Sequence, residues 1–175
     1  MQRLKLIQPT GKHRLQVEDF KQKFLTADEE MHGVGKLETQ NFDEWMQGCT
    51  DMKAGKNLGK YVPATQFITI RESDDKLIGM IQIRHFLTPH LLQSGGHIGY
   101  CIAPDERRNG YATDMLALAL EECKTMGIDK VLITARPNNI GSVRTIEKNG
   151  GILENEIIDE KNKPLQRFWI NNNTE

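Results

Sequence analysis

The sequence predicts an α/β (α+β) fold, a mixed twisted sheet of about seven strands flanked by about four helices. Two observations carry this. Short segments of alternating or continuous apolar residues recur along the chain, and segments of helical period stand between them. The chain has 175 residues, which suits one domain, 1–175, able to bury its own core.

Taken in order, Leu4, Leu6 and Ile7 suggest a short first strand. Leu15, Val17, Phe20 and Phe24 give a loose helical pattern over Lys12 to Phe24. The stretch from Thr26 to Lys60 is polar. Within it, Phe42, Trp45, Met46 and Cys49 recur at helical offsets, and Lys53 to Pro63 reads as a loop. Phe67 to Arg71 and Lys76 to His85, joined by the polar turn Glu72 to Asp75, form a hairpin signal. Phe86 to Gly95 reads as a connector. His97 to Ile102 is a short strand stopped by Pro104. Ala112, Met115, Leu116, Ala119, Leu120 and Cys123 mark a helix that opens near Gly110 and stops at Gly127. Lys130 to Ala135 is a strand. Asn139 to Asn149 is a helix, with Asn139 as N-cap and Gly150 just past its end. Ile152 to Ile158 and Leu165 to Ile170 close the fold as a strand pair. The order is β-α-α-β-β-β-α-β-α-β-β.

Composition narrows the function classes. The formal net charge is −1, which argues against nucleic acid or an anionic membrane surface as partner. No apolar run approaches the roughly 20 residues of a membrane span, and Met1 to Gln8 lacks the apolar core of a leader. Cys49, Cys101 and Cys123 have no paired spacing, so they read as reduced thiols of a cytoplasmic protein rather than as disulfides or zinc ligands. His85, His90 and His97 match no metal-ligand spacing, and no metal is expected.

The strongest local signal is Pro104-Asp105-Glu106-Arg107-Arg108-Asn109-Gly110-Tyr111-Ala112-Thr113, between a strand and an amphipathic helix. Gly110 can take a positive φ, and the small Ala112 leaves room for a close backbone approach. A helix N-terminus favours anions through its dipole and unpaired N–H groups, and Arg107 and Arg108 add charge. The combination suits a pyrophosphate; a tight turn with a solvated basic pair is the plain alternative.

Arg107-x-x-Gly110-x-Ala112 resembles the R/Q-x-x-G-x-G/A acetyl-CoA motif of GNAT acetyltransferases. Asn139-x-x-Ser142 through Glu147-Lys148-Asn149-Gly150-Gly151 resembles the second GNAT signature. The run GGHIGYCIAPDERRNGYAT is similar to a bacterial subgroup of predicted GNAT enzymes, and the element order fits the acyl-CoA N-acyltransferase fold. The first 60 or so residues carry no signature of the family.

The resemblance implies an acetyl-CoA-dependent N-acetyltransferase that acts on a primary amine by direct attack in a ternary complex. It implies that two central parallel strands splay apart to admit the pantetheine arm, with Tyr100, Cys101 and Ile102 lending backbone groups. Arg107, Arg108, Asn109, Gly110, Tyr111, Ala112 and Thr113 would hold the pyrophosphate, and Asn139 and Ser142 would face the sulfur.

For the chemistry, His97 is the leading base candidate, since an imidazole accepts a proton near neutral pH, a satisfied or exposed histidine at a strand start being the alternative. Strict alternation sets it on the face opposite Tyr100 and Ile102. Many relatives carry a tyrosine acid where this chain has Ile146. Ser142 is the replacement candidate, a helix-start serine bonded to the backbone being the alternative. Tyr100 and Tyr111 are the other candidates for the acid, with packing as the leading reading of each, and Cys101 reads as core. The acceptor is expected against Ala27 to Lys60, whose Asp28, Glu29, Glu30, Glu38, Asp43 and Glu44 could attract a cation, with Phe86 to Gly95 opposite. A non-catalytic acyl-CoA-binding module is the competing reading, and a homodimer through a sheet edge or helix face is compatible with both.

Overall fold

The computed structural model describes residues 3–173. The first residues of the stretch read for a leader, and both ends of the expected domain, lie outside the described residues. Among the described residues, seven strands form two sheets rather than one. The first has the order β1 (Leu4–Ile7), β2 (Ala64–Arg71), β3 (Lys76–Arg84), β4 (Ile98–Ile102), all antiparallel neighbours. The second has the order β5 (Lys130–Ala135), β7 (Pro164–Asn171), β6 (Ile152–Ile158). Five α-helices accompany them: α1 (Arg14–Ala27), α2 (Phe42–Lys53), α3 (Pro89–Ser94), α4 (Tyr111–Thr125) and α5 (Ile140–Lys148). None is long and apolar enough to cross a membrane.

β2 and β3 are buried on both faces, which is why they read as nearly continuous apolar runs. On one face, Val17, Phe20 and Phe24 of α1 and Trp45 of α2 pack on Ile68, Ile70 and Met80. On the other, Met115, Leu116 and Ala119 of α4 pack with Ile81, Ile83, Ile133 and Phe168, joining the two sheets in one core. A register shift between Thr69 and Ile70 skips Ile78, so Leu77 enters the first core although Ile81 and Ile83 belong to the second.

Two expectations need correction. The connector Phe86 to Gly95 contains α3. Thr88 caps it by accepting the Leu91 N–H at 3.3 Å, and Pro89 takes the first helical position. A helix of six residues is too short to show a period, so only its cap was there to be read. The strand expected to begin at His97 begins at Ile98. His97 instead joins the sheets, its N–H donating to the Leu132 carbonyl at 2.8 Å. The other helix starts follow their local signals. Asn41 and Glu44 form a reciprocal capping box on α2, and Asn139 accepts the Ser142 N–H at 3.1 Å on α5.

Candidate active site

β4 and β5 share no ladder beyond the His97–Leu132 joint. Tyr100, Cys101 and Ile102 consequently border a cleft of about 970 Å³. Its other walls are Arg107, Arg108 and Gly110 to Thr113 before and at the start of α4, Asn138 to Ser142 at the start of α5, and Glu29, Glu30 and His32 after α1. Thus Tyr100, Cys101, Ile102, Arg107, Arg108, Gly110, Tyr111, Ala112, Thr113, Asn139 and Ser142 meet in one place.

Asn109 and His97 do not line this cleft. The Asn109 amide donates to the carbonyls of Glu106 and Arg107, at 3.1 and 3.3 Å, and so shapes the loop from within. His97 is buried. Its Nδ1 accepts the Leu132 N–H at 3.0 Å, which leaves the ring proton on Nε2. The one lone pair an incoming amine could use is therefore already taken. Burial, with the Arg84 charge adding to it, lowers the imidazole to about 4.

The loop ahead of α4 is held by ions. Glu106 is buried and accepts from Arg71 at 2.7 Å and Lys76 at 2.5 Å. These partners hold its carboxyl below the usual range against the opposing pull of burial. Gly110 takes φ +83° at the N-cap of α4, and no side chain caps the helix there. Arg107 lines the cleft and is already engaged. It pairs with Glu29 at 2.5 Å, donates to the Ile102 carbonyl at 3.3 Å and lies over the Phe24 ring. It ties the loop to the end of α1.

At the mouth of α5 the Tyr100 hydroxyl and Ser142 Oγ lie 2.9 Å apart. Ser142 is not spent on the backbone, because Asn139 caps the helix. Burial raises the Tyr100 phenol to about 12, against the hydrogen bonds from Ser142 and Thr145. It stays protonated at neutral pH and can donate. Ile146, for which the family resemblance had implied a tyrosine, is fully buried in the core. Burial also raises the Cys101 thiol to about 12, so it is no ready nucleophile.

The profile of the family described as "Acetyltransferase (GNAT) domain" matches residues 3–152. The chain belongs to the GNAT acetyltransferase family. As a GNAT enzyme it is an acyltransferase. It is 32% identical over 120 residues to the uncharacterized N-acetyltransferase YnaD of Bacillus subtilis (strain 168), covering 68% of this chain and 67% of that one. Its fold is similar to that of the ribosomal-protein-S5-alanine acetyltransferase from Vibrio fischeri, with TM-score 0.72 and 14% identity over 99% of this chain and 95% of that. It is also similar to RimJ of Mycobacterium smegmatis, solved with a CoA disulfide, with TM-score 0.69 and 19% identity over 96% and 81%.

Sequence reasoning missed several walls of this GNAT cleft. Arg144 and Lys148 of α5 bring further positive charge to it. Four residues apart, they share one face of α5, a basic pair that could have been read beside a helix start already taken as a site. His32 comes from a stretch with no period, and nothing local marked it, whereas Glu29 and Glu30 were expected only as charges for the acceptor. Of the six acidic residues proposed to attract a cation, four are committed elsewhere. Glu29 pairs with Arg107, Asp43 pairs with Arg14, Glu44 accepts the Asn41 N–H and Glu38 accepts the Met31 N–H. No residue from Phe86 to Gly95 lines the cleft.

Proposed function

We propose that this GNAT domain, spanning 1–175, moves the acetyl group of acetyl-CoA to a primary amine by direct attack in a ternary complex. The observation that carries the reading is the parting of β4 from β5 beside the Gly110 helix start, with the Tyr100–Ser142 pair at the opposite wall. A thioester arm laid along Tyr100 to Ile102 would lie on the edge of β4 opposite β3, where β5 forms no ladder with it. The uncapped first turn of α4 suits the pyrophosphate, with Arg108, Arg144 and Lys148 as cations for the phosphates. Arg107 acts through its tie to Glu29, and Asn109 through the loop.

Acetyl transfer then needs a donor for the departing sulfur. Ser142, with the Tyr100 phenol behind it, serves here in place of the tyrosine that Ile146 replaces. His97 is assigned to structure rather than to proton transfer, because its lone pair holds the Leu132 N–H. The titration of free thiol released from acetyl-CoA tests the reading, against a panel of polyamines, aminoglycosides, amino acids and peptides. Turnover with one class supports it. Tight acetyl-CoA binding with no release on any acceptor would favour the binding-module reading, which the missing tyrosine keeps in play.

A further inference from the structure

With His97 locked, the cleft still needs a group that takes the proton from the attacking amine. We infer that His32 is the general base, an inference that rests on the acetyl-transfer reading above.

Three observations place it. Of the five histidines, His32 alone lines the cleft, and its ring is exposed there alongside Tyr100 and Ser142. Its segment is fixed on the strand that would carry the thioester. Gly33 has φ +67° and packs so closely on β4 that a Cβ there would fall 1.8 Å from the Gly99 carbonyl oxygen. Gln66 holds the same turn from below, donating to the Gly33 carbonyl at 2.8 Å. On the other side, a main-chain hydrogen bond from His32 reaches the Cys101 thiol. The imidazole thus stands on a braced turn next to the middle of β4, not on a free loop.

The charged and titratable groups around it come from every wall. Glu29 and Glu30 precede it, and Glu38 lies close enough to act on Cys101. Tyr100 and Cys101 face it from β4, Arg107 and Arg108 from the α4 loop, and Arg144 and Lys148 from α5. Glu29 is spent on Arg107, which leaves Glu30 as the rival. An imidazole is the side chain whose ordinary proton affinity matches neutral pH, whereas a carboxylate is a weaker base there. In the step, the amine nitrogen attacks the thioester carbon and a C–N bond forms. The C–S bond breaks and its electron pair leaves on sulfur. His32 takes the proton shed by nitrogen, and sulfur takes one through Ser142 and Tyr100.

The test uses the best amine found in the panel and follows kcat/KM from pH 5.5 to 9 for wild type, His32→Gln, His32→Ala and Glu30→Gln. His32→Gln should lose roughly 10²–10⁴ at pH 7 and lose the acid limb set by an imidazole, while acetyl-CoA affinity changes less than about twofold. Added imidazole should restore part of the rate to His32→Ala, which a purely structural role would not allow. Either His32 variant keeping the wild-type limb, or Glu30→Gln alone abolishing it, would overturn the inference. Failure of the wild type on every amine would instead remove the acetyl-transfer reading and the inference with it, so the two failures are told apart by the wild type.

Discussion

The two ends of β4 are put to opposite uses. At the first, His97 closes the gap between the sheets, giving its N–H to the Leu132 carbonyl and taking the Leu132 N–H on its ring. At the second, Tyr100 to Ile102 have β3 on one side and a cleft of about 970 Å³ on the other. A few residues separate a joint where the His97 main chain and Nδ1 are engaged from a cleft edge of β4 that no strand covers. The lesson is that a histidine beside a cleft is a base only if its lone pair is free. At the closed end the fold consumes it, whereas at the open end the His32 ring makes no hydrogen bond to any described residue.

The comparison can be broken from the strap that borders the open end. Gly33→Ala places a methyl 1.8 Å from the Gly99 carbonyl oxygen in a left-handed conformation. It should cost about 3 kcal/mol or more, read from the urea midpoint, and should displace His32 with loss of turnover. His97→Ala acts on the closed end. It orphans the buried Leu132 N–H and should cost about 2–3 kcal/mol at pH 7.5, leaving the pH dependence of turnover unchanged.

The same variant carries a pH signature. The folded imidazole lies near 4, below its ordinary 6.5, so the unfolded chain binds more protons between those values. The stability due to neutral His97 is fully present above pH 6.5 and is lost as the pH falls through 4, on the order of 3 kcal/mol in all. Urea titrations of wild type and His97→Ala across pH 4 to 7 should show this slope in the first and its absence in the second.

Smaller folding effects sharpen the open end. The Arg108→Ala/Arg144→Ala double variant should leave the urea midpoint nearly unchanged and weaken acetyl-CoA by about 10–100-fold, the value of a charge-assisted hydrogen bond or two, measured by calorimetry. Ser142→Ala should be smallest in stability, under about 1 kcal/mol, because Asn139 and not Ser142 caps α5. Its kcat and kcat/KM should fall together, with acetyl-CoA binding intact, and thioesters with better leaving groups should narrow the gap. Normal turnover in that variant would pass the proton to solvent.

Much of the cleft was legible, because its parts are local. The Gly110 turn, the Asn139 cap and the ends of β5 follow from residues adjacent in sequence. The Tyr100–Ser142 pair spans 42 residues and the Arg107–Glu29 pair 78, and no spacing rule reaches so far. Tyr100 was read chiefly as packing and only behind Ser142 as a candidate acid, and the bond between the two was not foreseen. α3 escaped because one and a half turns show a cap but no period.

By itself the sequence determined the order of strands and long helices, the anion-suited turn before α4 and the family. Periodicity, caps and glycine conformations act within a few residues, so they survive without knowledge of the fold. The family resemblance already implied a parting of the strands that became β4 and β5; tertiary structure alone decided that His97 is consumed as the joint and that His32 reaches the cleft. Each depends on a backbone group meeting a partner dozens of residues away, and whether a lone pair is free is settled only once that partner is in place.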